Sequence, residues 1–139
     1  MALYMLDTDM ASYAIKGRGE VKNRLLSIPP SSVCISAVTR AELLYGLQRL
    51  PANHGLHNLV GRFLDLVQTL PWGVVGGSRG DPAAWYASIR HQLVGIGQPI
   101  GEMDMMIAAH AIAVQATLVT NNTWHYERID GPLISEDWL

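Results

Sequence analysis

Two carboxylates two residues apart, Asp7 and Asp9 in "YMLDTDMAS", follow a short apolar run close to the N-terminus, and two more acidic positions stand beside apolar segments further on: Glu42 in "VTRAEL" and Asp104 in "GEMDMM". Taken singly, each has a structural use. Asp7 or Asp9 can cap a helix, "TRAE" fits a capping box in which Glu42 reaches back to a backbone N–H, and Glu102 and Asp104 in a first helical turn would favour the helix dipole. Taken together they allow two chemistries. A phosphatase would use Asp7 as nucleophile, Asp9 as acid and Ser36 as phosphate donor. It also needs a later lysine and a further acidic pair, whereas the only lysines are Lys16 and Lys22. Alternatively Asp7, Glu42 and Asp104 converge. Three gathered carboxylates repel one another unless a cation lies between them. Oxygen-only ligands suit Mg2+ or Mn2+ and not zinc, and such ions bridge an acidic site to a phosphate substrate. On this reading Asp7 is the ligand and Asp9 the helix cap, while His110, on a largely apolar helix, belongs to the core or an interface.

The elements that must position these residues follow from periodicity. A strand is expected at about 3–6, helices at about 8–16 and 20–28, a β-branched run at 33–35 and a helix from near Val38. "NHGLHNLVGRFLDLVQTL" has amphipathic helical spacing, "PWGVV" reads as a weak third strand, helices at about 82–95 and 102–116 follow, and "TLVT" and "PLIS" close the series. Pro29-Pro30, Gly76-Gly77 and the stretch from Gly95 to Gly101 punctuate the boundaries. Alternating strands and helices predict an α/β domain with a mostly parallel sheet. Its ligand crevice should lie beyond the C-terminal ends of the strands. That rule places Asp7, Ser36 with Glu42, and Asn121-Asn122 at one edge, with Asp104 opening the helix that leads into the fourth strand.

With 139 residues, 49% of them hydrophobic, the chain has the length for one domain with a sizeable core, spanning 1–139. Its net charge of −2 excludes a protein that holds nucleic acid by bulk charge alone. Lys16, Arg18, Lys22 and Arg24 nevertheless put four of the ten basic residues into one nine-residue window, a solvated helix face or a track for an anionic backbone. The single Cys34 cannot form an internal disulfide, which favours a reducing compartment. With no leader pattern and no apolar run of membrane-spanning length, a cytoplasmic protein that does not contact membrane is expected.

The segments "MLDTD", "CISAVTRAELLYGL", "GQPIGEMDMMIAAHA", "LVTNNTWHYERI" and "SEDWL", in this order and spacing, resemble the PIN-domain ribonucleases, and specifically the VapC toxins of toxin–antitoxin pairs, nearest to the group that cuts initiator tRNA in the anticodon loop. The resemblance implies a three-layer α/β/α fold around a mostly parallel sheet of four to five strands. It also implies a homodimeric, Mg2+-dependent endoribonuclease neutralised by a VapB antitoxin whose C-terminal segment enters the active-site groove. The family's acidic positions fall on Asp7, Glu42 and Asp104, and the fourth on Asn122, which has no charge, so that a second metal would be held less firmly. Glu102 is either an extra negative charge or a partner of the helix dipole. Thr120 and Asn122 would steady water and ligands, and Lys16, Arg18, Lys22, Arg24 and Arg40 would guide the RNA backbone. Where the pattern has Trp-Asp, this chain has Trp72-Gly73. An RNA- or partner-binding member without turnover stays open as the other reading.

Overall fold

The computed structural model describes residues 2–76 and 79–139, so Gly77 of the Gly76-Gly77 boundary lies outside the described residues. Five short strands, β1 (Tyr4–Leu6), β2 (Val33–Ser36), β3 (Gln68–Leu70), β4 (Thr117–Val119) and β5 (Ser135–Glu136), form one sheet in the order β3-β2-β1-β4-β5. All four pairings are parallel. A parallel sheet is covered on both faces, so its strands read as unbroken apolar runs. Met5, Cys34 and Leu118 point to a core shared with α5 (Pro82–Gly95) and α6 (Glu102–Ala113). Their neighbours Leu6, Val33, Ile35 and Val119 point to a second core, built with α1 (Thr8–Lys16), α2 (Val21–Ser27) and α4 (Leu56–Leu66). This period-two alternation produces the expected three layers.

The helices show why the chain turns where it does. α1 starts directly behind β1 and stops at Gly17, whose φ of 68° is the left-handed conformation that glycine adopts at least cost. α3 (Ala37–Gln48) follows β2 without a loop, its free N-terminus met by the Ser36 hydroxyl. α6 is buried almost all round from Met105 to Ala113 and forms the centre of the first core.

Three boundaries differ from expectation. The third strand is not "PWGVV" but Gln68–Leu70, immediately after α4. Pro71 explains the shift: it disfavours a helical Leu70 and has no N–H to offer a ladder, so extended backbone is favoured before it and paired strand cannot continue through it. α6 ends at Ala113 rather than at 116, because Gln115 turns left-handed (φ 59°) and the Ala116 N–H closes on the Ala111 carbonyl at 2.8 Å. The last strand is Ser135–Glu136, at the far end of "PLIS" and beyond it. Trp72, in the loop after β3, is anchored by its indole N–H, which donates to the Met106 carbonyl at 2.9 Å.

Candidate active site

Asp7 is the first residue beyond β1. Its backbone N–H donates to the Val119 carbonyl at 3.0 Å, which pins it beside the end of β4 and next to Thr120. Its carboxylate accepts the Met10 N–H at 2.8 Å, so Asp7 is the cap of α1. The expectation that Asp9 is the cap is thereby corrected. Residue 7 has the extended backbone of the strand-to-helix junction (φ −74°, ψ 175°), whereas Asp9 is already within the first helical turn and exposed. The Thr120 hydroxyl, fully buried, lies towards Asp7, whose carboxyl it lowers, and accepts the Asn122 N–H at 3.0 Å.

Only 3% of Asp7 is accessible, and burial pushes its carboxyl up to about 6. The bonds from Thr120 and Met10 oppose that rise, and the negative charges of Asp9 and Asp104 add to it. Asp104 sits in the first turn of α6 and its carboxyl is raised as well, first by partial burial and then by the charge of Asp9. The Tyr126 hydroxyl, which lies towards it, and the nearby His125 pull it back. Asp7, Asp9 and Asp104 therefore act on one another electrostatically at one edge of the sheet.

Glu42 approaches from α3, half-buried, and accepts a hydrogen bond of 2.6 Å from the Thr8 hydroxyl, next in sequence to Asp7. Thr8 also lies 3.3 Å from the Thr39 hydroxyl. Because Ser36 caps α3, the capping-box use of "TRAE" does not occur. Among the described residues no three Asp, Glu, His or Cys side chains stand as a ready-made metal cage. Nevertheless the donor chemistry fits a hard divalent cation: every candidate ligand is a carboxylate oxygen, and the most buried of them resists ionising without a neighbouring positive charge.

The other expected residues are placed as follows. Glu102 points outward and pairs with Arg90 at 3.1 Å on the surface. Asn122 is half-buried at the start of α7 (Thr123–Tyr126), with its backbone tied to Thr120. Lys16 shares a groove with Thr8 and Glu42, and Arg40 is exposed on α3. Arg18 lies over the Tyr13 ring at 4.7 Å, and Lys22 faces an apolar groove of α1, α2 and α4. Arg24 is already engaged, pairing with Glu136 at 3.2 Å and lying 5.2 Å from the centre of the Trp138 ring. Tyr126 was not anticipated at the site, and Asp9 was expected beside Asp7 only as a cap or, in a phosphatase, as an acid. Asp9 carries a signal, its spacing from Asp7, but nothing in the sequence marks Tyr126 as the partner of Asp104.

Two features lie beside the acidic edge. His110 is fully buried beneath it, with Nδ1 2.7 Å from the Ser36 hydroxyl, and burial lowers its imidazole to about 4 so that it is neutral. Its Nε2 lies towards the Pro71 carbonyl without completing a hydrogen bond. The Ser36 hydroxyl accepts the Val38 N–H and therefore has its own proton to give to Nδ1. On the other side a groove of about 320 Å3 runs from Thr8 and Glu42 between α1, α3 and α4, lined by Ile15, Leu43, Leu47 and Val60.

The family profile of the PIN domain matches residues 4–131. The chain is 33% identical to the tRNA(fMet)-specific endonuclease VapC of Salmonella typhimurium and 31% identical to that of Shigella flexneri, in each case over 138 residues and 99% of both chains. Its fold is similar to the solved DNA-bound VapBC from Salmonella typhimurium, with a TM-score of 0.84, 32% identity and complete coverage of both chains. VapBC2 from Rickettsia felis, bound to a DNA fragment from the promoter, gives a TM-score of 0.82 at 32% identity over 98% of each chain.

Proposed function

This chain belongs to the PIN-domain family and, within it, to the VapC branch, and we propose that residues 1–139 form one such domain acting as the toxin of a toxin–antitoxin pair, a cytoplasmic endoribonuclease that cuts initiator tRNA in its anticodon loop. The observation that carries the reading is the buried Asp7 carboxyl held against Asp9 and Asp104, an arrangement that gains most from a divalent cation. Asp7, Asp104 and Glu42 would hold Mg2+, or Mn2+ in its place. The bound ion supplies charge neutralisation for the substrate phosphate and activation of the attacking water.

The chain's own residues do the rest. Thr8 would orient Glu42 through the 2.6 Å bond from its hydroxyl, and the Thr120 and Tyr126 hydroxyls, lying towards Asp7 and Asp104, would orient those carboxylates. Such outer partners fix ligand direction, as they do in other metal sites. The Asn122 amide, next to Thr120, is available to orient a water or a phosphate oxygen without adding charge. Lys16, which shares a groove with Glu42, and Arg40, exposed on α3, would draw in the RNA backbone together with Arg18 and Lys22, whereas Arg24 must first leave Glu136. The apolar groove beside Glu42 suits an apolar antitoxin segment of the VapB type. Val94 and Ile96, exposed at the end of α5, offer apolar surface for a homodimer.

The test is induced expression followed by sequencing of new RNA 5′ ends, with purified protein assayed on the same RNA. Cleavage is expected at one tRNA, dependent on Mg2+ or Mn2+ and abolished by EDTA and by Asp7→Asn. Cleavage that persists in EDTA, or in Asp7→Asn at equal concentration, would sink the assignment. A chain that binds RNA and cleaves none would return it to the binding-module reading.

A further inference from the structure

α7 carries an aromatic residue with no structural task. Trp124 lies two residues after Asn122 and two before Tyr126, the residue that holds Asp104, yet its own side chain is 56% exposed. The guanidinium of Arg128 lies over its ring at 5.0 Å, and the ring of His125, close enough to Asp104 to act on its charge, meets it edge to face at 3.8 Å. Arg128 forms no ion pair among the described residues. Its backbone is nevertheless fixed, since the Gln92 amide donates to the Arg128 carbonyl at 2.7 Å and accepts the Asp130 N–H at 2.8 Å.

A second Arg–Trp pair in the same chain shows what a structural one looks like. Trp138 is 2% exposed, stacks against Tyr4, and donates its indole N–H to Glu136, while Arg24 on its ring is paired with Glu136 too. In that pair the ring is buried and both the guanidinium and the indole N–H are taken up by one carboxylate. Trp124 and Arg128 have the same chemistry with the partners missing, at the rim of a site that must receive a polyanion.

We propose that Trp124 is a stacking platform for a nucleobase of the RNA next to the cleaved bond, with Arg128 taking the adjoining phosphate. Proteins that read unpaired RNA splay bases onto aromatic rings and guanidinium planes, and a loop nucleotide is free to make that move. The proposal rests on the ribonuclease reading and adds to it a residue that selects single-stranded over paired substrate. Trp124 touches the base and not the reacting atoms, so its loss should weaken binding more than the rate at saturation.

The experiment uses the full chain carrying Asp7→Asn to prevent cleavage, and measures anisotropy of a labelled initiator-tRNA anticodon stem-loop over a salt series. Trp124→Ala should weaken binding roughly 5- to 150-fold, the loss of one base stack, with an unchanged salt slope and unchanged melting temperature. Trp124→Phe should keep most of the affinity. Arg128→Ala should lower the salt slope by about one phosphate contact. Binding of Trp124→Ala within twofold of its parent overturns the proposal, and so does a parent that binds neither the stem-loop nor a single-stranded oligoribonucleotide. Cleavage separates this proposal from its premise. An active chain that cleaves equally well at subsaturating RNA with Trp124→Ala removes only the platform, whereas Trp124-dependent binding without any cleavage removes only the nuclease.

Discussion

Asp7 and Ser36 occupy matching places in adjacent parallel strands. Leu6 pairs with Ile35, and the next residue of each strand turns directly into a helix and caps it, Asp7 through Met10 and Ser36 through Val38. Each cap is buried and each holds one further buried side chain, Thr120 for Asp7 and His110 for Ser36. The difference lies in what surrounds them. Ser36 meets a neutral imidazole, and both groups share one proton without charge. Asp7 meets Asp9 and Asp104, so its ionised form is opposed by burial and by like charge together. The same local geometry yields a structural tie in one strand and a demand for a cation in the next; the neighbouring charges, not the cap, make the site.

The largest effect expected is on the Asp7 side. Asp7→Asn keeps an oxygen to cap α1 but removes the charge, and cleavage should fall by more than the roughly 10- to 100-fold that losing a mere outer-shell partner costs. Without metal the same variant should be the more stable protein at pH 7.5, by about 3 kcal/mol, since the carboxyl that is ordinarily at 3.8 is pushed up to about 6. Adding Mg2+ at that pH should raise the melting temperature of the wild type and leave Asp7→Asn unmoved. A wild type that binds no divalent ion would break the contrast between the two caps.

Opposite pH dependences follow from the two buried groups. Folded Asp7 keeps its proton up to about pH 6 and the unfolded chain releases it near 3.8, so its contribution to metal-free stability falls as pH rises through that range. His110 is lowered from 6.5 to about 4, so its contribution is complete above 6.5 and is lost as pH falls towards 4. In the wild type the two trends largely cancel between pH 4 and 6. In Asp7→Asn the His110 trend is opposed only by that of Asp104, whose carboxyl is also raised, and denaturant titrations should show a net loss of stability on acidification from pH 6.5 to 4. An Asp7→Asn stability that is flat across that interval would mean that His110 is not held neutral.

Ser36→Ala tests the quiet cap. It removes the bond to Val38 and leaves Nδ1 of buried His110 without a partner. A loss of about 2–3 kcal/mol is expected, the combined scale of a missing helix cap and one unsatisfied buried polar atom. Cleavage per folded molecule should be unchanged. If Ser36→Ala instead removes activity at full stability, Ser36 belongs to the site and the two caps are not so different.

How far these roles were legible in the sequence depends on how local the deciding interaction is. Strand ends followed at once by helices were readable from periodicity, so Asp7, Glu42, Ser36 and Asn122 could be assigned to one edge of the sheet; the antitoxin-toxin family resemblance supplied the three layers and the acidic set. The third strand was misplaced because "VQTL" continues the helical spacing of α4, and only the effect of Pro71 on Leu70 turns it extended. α6 was drawn too long because its left-handed stop is Gln115 rather than a glycine. Tyr126 was not legible at all, since its meaning comes from Asp104, which reaches it only through the packing of α6 against the end of β4.

The choice between Asp7 and Asp9 turned on one backbone conformation, and Asp9 carries the smallest prediction. Its position in the first turn of α1 contributes little to stability, because an exposed acidic group there interacts with the helix dipole by about 0.3–1 kcal/mol. Its other effect is on charge: it raises both Asp7 and Asp104, so it adds to the repulsion that a cation relieves. Asp9→Asn makes the Asp7 cap more like the Ser36 cap. Metal affinity should fall by roughly three- to tenfold, the scale of about 1 kcal/mol of Coulomb attraction between charges well screened by water, while α1 stays formed and folding stability shifts by less than about 1 kcal/mol. Calorimetric titration with Mg2+ alongside thermal melts reads both quantities. Activity should be recovered at higher Mg2+, since Asp9 acts on the ion through space and does not replace Asp7. Asp9→Asn with unaltered metal affinity would show that two carboxylates, Asp7 and Asp104, already set the charge of the site.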